Sequence, residues 1–251
     1  MKPTVDQLRQ TILQLAVRGQ LVPQDPADEP ASELLKQIET EKQKLIADGT
    51  IRKQKKLPQI TDDETPFEIP ESWDWIKMGN ILELITDGSH HSPATQGSGM
   101  PYITVRDIND NFTINTEDSA RISQGDYDDL VNGNCKPEPR DVLFSKDGTV
   151  GKTAIARPGQ DFVVLSSLAI LRPIESTIKP KYLNYALNAA SILSAVLGMK
   201  TGVAIRRVVL RDLKNLQLPI PPEKEQQRIV EKVDELMALC DRLEHSLRQP
   251  T

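Results

Sequence analysis

Histidine, cysteine and aromatic side chains are scarce in this chain of 251 residues, and their scarcity removes most catalytic readings at the outset. Three histidines leave few ways to build a nucleophile–base pair, and no His/Cys/Asp cluster has metal-ligand spacing. His90 and His91 are adjacent, so a strand would turn them to opposite faces. The two cysteines, Cys135 and Cys240, lie far apart and match no zinc spacing, which fits a reduced, cytoplasmic protein. No apolar run approaches the roughly 18 residues that a membrane span needs. Met1 to Gln20 lacks the unbroken apolar stretch of a secretory leader, so no membrane association is expected. Ten aromatics against 18 prolines predict a turn-rich domain with an aliphatic core.

Several signatures of chemistry are absent too. No serine sits in a nucleophile elbow. No glycine-rich cofactor loop follows a strand, and there is no Asn-Pro-Pro-aromatic tetrapeptide of the kind adenine methyltransferases use to hold a flipped base. The segment Lys146-Asp-Gly-Thr-Val-Gly-Lys-Thr153 ends like a phosphate loop, but lysine stands where that loop needs its first glycine. It reads instead as a glycine-rich turn between two strands, from which Lys146 and Lys152 can point toward a polyanion.

Positive charge is scarce overall, with a net charge of −5, yet it is unevenly placed. Residues 106–129 hold two basic and seven acidic side chains, a net of −5. Residues 200–214 hold five basic side chains (Lys200, Arg206, Arg207, Arg211 and Lys214) against Asp212, a net of +4. Arg52, Lys53, Lys55 and Lys56 form a further basic cluster, which reads as solvated linker surface.

What is present is strong periodicity at both ends. Val5, Leu8, Ile12 and Leu15 predict a helix over residues 5–18, stopped by Gly19. A second helix is expected over 31–47, with Leu34, Leu35, Ile38, Leu45 and Ile46 as its apolar face and Gly49 as its end. Residues 50–66, with Pro58 and Pro66, read as a linker. From Phe67 short apolar segments at 102–105, 142–144, 153–156, 162–165 and 169–171 alternate with turn residues, the mark of a largely β domain. One helix is expected within it at about 180–197, and a strand at 216–220. Pro221 and Pro222 then announce a helix over about 223–248. There Ile229, Val233, Leu236, Cys240, Leu243 and Leu247 are spaced 4, 3, 4, 3, 4, an a/d heptad seam. Val230, Met237 and Leu239 widen the stripe at e or g positions, so it suits a bundle or a helix gripped on two sides. At 1.5 Å per residue it runs roughly 39 Å, too long for one compact domain to cover.

Several segments, in this order, resemble one family. Leu8-Arg-Gln-Thr-Ile-Leu-Gln-Leu-Ala-Val-Arg-Gly-Gln-Leu-Val-Pro23 is similar to the N-terminal helical region of Type I restriction–modification specificity subunits. Ile69-Pro-Glu-Ser-Trp-Asp-Trp75 with Met78-Gly79 resembles the opening of their target recognition domain, and Asp87-Gly-Ser-His-His-Ser-Pro93 its early loop. Pro101-Tyr-Ile-Thr-Val-Arg-Asp107 resembles its central strand, and Arg140-Asp-Val-Leu-Phe-Ser-Lys-Asp-Gly-Thr-Val-Gly151 its glycine-containing hairpin. Leu218-Pro-Ile-Pro-Pro-Glu-Lys-Glu-Gln-Gln-Arg-Ile-Val230 looks like the element that closes the domain and starts the long helix.

The resemblance implies an α+β fold: a helical region over 1–49, a linker over 50–66, a mostly-β recognition domain over 67–221, and a coiled-coil helix over 222–251. Such subunits usually carry two recognition domains, so this chain is expected to be an N-terminal half, as a fragment or a natural half-subunit. The family implies a DNA-reading subunit without catalysis. Its domain reads one half of a split double-stranded site, and its long helix sets the spacing and docks methyltransferase subunits. A restriction subunit joins the complex, while S-adenosylmethionine, ATP and magnesium belong to those partners. Two half-subunits can pair through their long helices. Reading bases needs donors on a projecting element, and register needs cations at phosphates. The expected DNA contacts are therefore Lys200, Thr201, Arg206 and Arg207 first, then Lys146, Thr149 and Lys152 of the hairpin, His90 and His91 of the early loop, and Arg106. The rival readings are a protein-binding scaffold with a dimerisation helix and a stand-alone nuclease or methyltransferase. The first predicts no DNA binding with or without partners, the second activity in the single chain.

Overall fold

A computed structural model describes residues 4–53, 57–58, 60–61, 64–175, 177–199 and 207–248. Lys55 and Lys56 of the basic linker cluster, and Lys200, Thr201 and Arg206 among the expected DNA contacts, lie outside the described residues.

Helix α1 (Val5–Val17) begins on a reciprocal cap: Thr4 Oγ1 accepts from the Gln7 amide at 3.3 Å, and Gln7 Oε1 accepts from the Thr4 amide at 2.8 Å. It ends at Gly19, whose φ of +68° excludes most side chains and where a Cβ would lie 2.3 Å from Pro70 Cγ. The buried stripe is Leu13, Ala16 and Val17, while the expected face of Val5, Leu8, Ile12 and Leu15 is only half-buried. The helix is rotated because it packs on three later helices at once. Helix α2 (Ala31–Ala47) buries Ala31, Leu34, Ile38 and, against expectation, Lys42. The Lys42 ammonium donates to the Gly79 carbonyl at 2.8 Å, and burial pushes its pKa down.

The domain that follows is bracketed by β1 (Asp74–Lys77), whose partner strand is the last of the chain. After it come α3 (Met78–Ile81), β2 (Leu82–Asp87), β3 (Met100–Ile103), β4 (Ala120–Ile122), α4 (Gln124–Asn132), β5 (Val142–Ser145), β6 (Thr153–Ile155), β7 (Val163–Val164) and β8 (Leu168–Pro173). Helices α5 (Pro180–Asn188), α6 (Ala190–Gly198) and α7 (Leu210–Asn215) precede β9 (Gln217–Ile220) and α8 (Glu223–Arg248). Strands form a sheet in the order β2-β8-β5-β6, a second in the order β4-β3-β7, and the β1-β9 pair. In that pair Asp74 lies opposite Ile220 and Lys77 opposite Gln217, so the chain enters and leaves the domain side by side.

The α+β fold is as the sequence predicts, but more helical within 67–221 than expected. The single helix expected over 180–197 is two, because Ala189 is extended at φ −67° and ψ 136°. Helix α4 arises in the acidic stretch, where Ser123 Oγ caps the Asp126 amide at 3.0 Å. Helix α7 begins inside the basic stretch. Fully buried Met78, Ile81, Leu82, Phe144, Leu171 and Tyr182 join the domain to Leu13, Val17, Ile229 and Val233 in one core.

Candidate nucleic-acid interface

Four strands end at one edge of the domain. The Gly88 amide, just past β2, donates to Leu168 O at 3.2 Å, and the Ser89 amide to Val164 O at 3.0 Å. The Leu165 amide, just past β7, donates to Ile103 O at the end of β3, at 3.0 Å. At the end of β5 the Lys146 amide donates to Ser167 O at 2.8 Å, and the Lys146 carbonyl accepts from the Val208 amide at 2.9 Å. The early loop, the segment after β3, the hairpin turn and the approach to α7 therefore emerge together. Gly88 allows this crowding, since a Cβ there would lie 2.0 Å from Val164 O.

The predicted residues divide sharply in that setting. Arg106 is exposed on a single 3-10 turn (Val105–Asp107), held by Thr104 Oγ1, which accepts from the Arg106 amide at 3.3 Å. His90 and His91 are exposed, and His90 Nε2 lies 3.4 Å from Asp87 Oδ1. The early loop is shaped by Ser89, whose hydroxyl accepts from the His91 amide at 3.1 Å. Thr149 is exposed at the tip of the β5–β6 hairpin, and Ser145 Oγ anchors that tip on the Thr149 carbonyl at 2.6 Å. Gly151, at φ +103°, lets the hairpin sit against Leu193, whose Cδ1 would be 2.5 Å from a Cβ there. Arg207 is exposed, and its backbone bridges to Asp147.

Lys146 and Lys152 do not project as expected. The Lys146 side chain is 6% exposed, and its ammonium lies 3.2 Å from Asp87 Oδ2 and 3.1 Å from Asp147 Oδ2. Lys152 is half-buried, donating to the Ile108 carbonyl at 3.1 Å and pairing with Asp110 at 3.3 Å. Both sit at the roots of loops, where a carboxylate from elsewhere in the chain, Asp87 for Lys146 and Asp110 for Lys152, meets them. Asp147 is the next residue in the chain, but spacing does not reveal Asp87 as the second partner of Lys146, because only the sheet brings those two together. Among the described residues no group of three His, Cys, Asp or Glu side chains could hold a metal, and no helix is long and apolar enough to cross a membrane. Nearby Cys135 is buried, and that burial, reinforced by the Asp87 carboxylate, pushes its thiol pKa up, which disfavours the reactive thiolate.

The seam of α8 is also divided. Ile229, Val233 and Cys240 are buried within the chain itself, and Leu236 is half-buried. Leu239, Leu243 and Leu247 are 44%, 43% and 71% exposed. The expectation of one continuous partner-facing seam is corrected accordingly: its first half is core. The reason is α1, which runs antiparallel along α8. Arg9 reaches Asp241 at 2.8 Å and Glu244 at 2.7 Å, and those two carboxylates push its pKa up, while Arg228 reaches Asp28 at 2.6 Å. Glu225, buried at the start of α8, accepts from Trp73 Nε1 at 3.0 Å and Gln24 Nε2 at 2.6 Å. Only the far half of α8 presents leucines to solvent.

Residues 70–249 match the family model described as the Type I restriction modification DNA specificity domain. The chain is 34% identical over 251 residues to the specificity subunit of Escherichia coli Type I restriction enzyme EcoAI, covering 98% of this chain and 42% of that one. It is 35% identical over 254 residues to the EcoEI specificity subunit of the same organism, covering 96% and 40%. It thus spans about two fifths of the length of the curated relatives it matches. Among solved structures, the HsdS subunit from Thermoanaerobacter tengcongensis aligns with a TM-score of 0.53 at 22% identity, over 98% of this chain and 52% of that one. A chain from work on the assembly and conformational transition of the type I R-M system aligns with a TM-score of 0.55 at 21% identity, covering 96% and 52%. At that identity the likeness is one of fold.

Proposed function

This chain belongs to the Type I restriction–modification DNA specificity family, and on that premise we propose that it reads one half of a bipartite double-stranded DNA site without catalysing a reaction itself. The observation that carries this reading is the edge where four strand ends gather, with Arg106, His90, His91, Thr149 and Arg207 exposed along it. Guanidinium groups can read guanine edges bidentately or hold phosphates, and short polar side chains fit base edges. Lys200, Thr201 and Arg206 adjoin Arg207 in sequence and extend the same cationic stretch. The negative net charge then favours local over diffuse attraction.

The exposed far half of α8 docks methyltransferase subunits, and through them a restriction subunit. S-adenosylmethionine, ATP and magnesium act on those partners, in the cytoplasm. A second copy of this chain, pairing antiparallel through the same leucines, completes the two-domain arrangement. The test is selection from a randomised duplex pool by the chain alone and with its methyltransferase subunit. Enrichment of one short motif is expected. The double variant Arg206→Ala with Arg207→Ala should weaken binding and reduce the slope of log K against log salt by about 0.9 for each phosphate that is no longer neutralised. An unchanged slope and affinity removes these arginines from the interface, and failure to enrich any motif in either state rejects the function.

A further inference from the structure

Every polar group of Lys146 is engaged inside the protein. Its amide donates to Ser167 O at 2.8 Å, and its carbonyl accepts from the Val208 amide at 2.9 Å. Its ammonium lies between Asp87 at 3.2 Å and Asp147 at 3.1 Å, on a residue that is 5% exposed overall. These partners come from four places at the candidate edge: the end of β2, the turn of the β5–β6 hairpin, the loop after β7 and the approach to α7. Asp87 in turn lies 3.4 Å from the exposed His90, and Asp147 bridges to the backbone of Arg207. One buried cation thus stands between two carboxylates that are 16% and 24% exposed, with the candidate reading residues one step further out.

We infer that Lys146 is a positioning residue for base recognition, a buried pin that sets the mutual placement of the early loop, the hairpin and Arg207 without touching DNA. The inference rests on the DNA-reading function proposed above. One cation between two anions leaves the cluster net negative, so Lys146 has no spare charge to offer a phosphate. Removing the ammonium leaves Asp87 and Asp147 facing each other with nothing between them. Their repulsion separates two loops that base reading requires at a fixed distance, since readout depends on placing donors within hydrogen-bond range of base edges. Cations that hold phosphates act regardless of sequence, whereas loop placement acts on sequence alone.

That difference makes the test. The motif enriched from the randomised pool is compared with a scrambled duplex over a range of salt, using the full chain with its methyltransferase subunit. For Lys146→Met the ratio of affinities for motif and scramble is expected to fall at least tenfold, with the salt slope unchanged. Were Lys146 bound to a phosphate, the substitution would instead lower the slope by about 0.9 and weaken both duplexes equally, which would overturn the inference. Asp87→Asn keeps the shape of the side chain and gives a result of opposite sign under the two readings. As a partner of the pin, its loss should reduce discrimination. If Lys146 faced DNA, removing a nearby negative charge should tighten both duplexes with the ratio kept. Thermal denaturation accompanies both variants, and should Lys146→Met not fold, Asp87→Asn decides. A wild-type complex that enriches no motif rejects the DNA-reading function and this inference with it. Enrichment by wild type with an unaltered ratio in both variants rejects the inference alone.

Discussion

Replacing Leu243 and Leu247 with aspartate separates what α8 does for its own domain from what it offers to others. Full burial of a leucine is worth about 1.5–3 kcal/mol. Leu239 and Leu243, at 44% and 43% exposed, each have about 0.6–1.3 kcal/mol still to gain from a cover, and Leu247, at 71%, about 1–2 kcal/mol. Two copies meeting through these residues would gain about 5–9 kcal/mol, against an association cost of about 4–15 kcal/mol. These leucines alone therefore support only weak pairing of two copies, and a tight assembly needs additional area, which the docking proposed above would take from a methyltransferase subunit. The double aspartate variant should weaken either association at least 100-fold, about 2.8 kcal/mol. The stability of the isolated chain should fall by about 1–3 kcal/mol, the worth of the parts of Leu243 and Leu247 that are already covered. Ile229→Ala is the contrasting change. Ile229 is 0% exposed, so the loss should be about 2–5 kcal/mol, lowering the melting temperature by roughly 5–20 °C. Sedimentation velocity with and without the methyltransferase subunit reads the first effect, and thermal denaturation of the same samples the second. Unchanged sedimentation of the aspartate variant, or a melting temperature lowered further than by Ile229→Ala, would refute the division of the seam.

Other outcomes follow from single contacts. Gly88→Ala forces a Cβ to 2.0 Å from Val164 O and should cost at least about 2 kcal/mol in urea denaturation, whereas Gly97→Ala, with nothing within 4 Å, should be near neutral. Asp141 is 1% exposed and holds Arg172 through Nε and Nη2 at 2.9 Å each, so Asp141→Asn should destabilise by about 3–5 kcal/mol, and pairing it with Arg172→Met should cost less than the two single changes combined. Burial pushes the Glu225 carboxyl pKa up despite its bonds to Trp73 and Gln24. A raised folded-state pKa contributes stability that is full below the ordinary carboxylate value and is lost as pH rises through the raised one. Glu225→Gln should abolish that decline, and denaturant midpoints of variant and wild type that stay parallel across pH 4–7 would contradict it.

The legible parts of this protein are those that repeat locally. The helix over 31–47 is readable because its period ends at Gly49, the helix over 223–248 because its period follows Pro221 and Pro222, and the strands at 142–144, 153–156 and 169–171 because turn residues bracket them. Helix α4 is not readable in this way: Ser123 three residues before Asp126 is a capping signal, but the run of acidic side chains around it obscures it. Lys42 looks like part of a charged face because the carbonyl that receives it, that of Gly79, belongs to a distant helix.

The sequence by itself determined the helices at both ends and the long apolar stripe of α8, since each depends on spacing along the chain, and it carried the family through the resemblance of its motifs. Tertiary structure alone decided which half of that stripe is core and which half is open, because α1 folds back along it, with Arg9 on Asp241 and Glu244. It also decided that Lys146 is buried between Asp87 and Asp147 while Arg106 and Arg207 remain at the surface. A lysine and an arginine look equally suited to a polyanion in one dimension. Whether a distant carboxylate such as Asp87 already holds the charge depends on which strands lie side by side, and no local pattern encodes that.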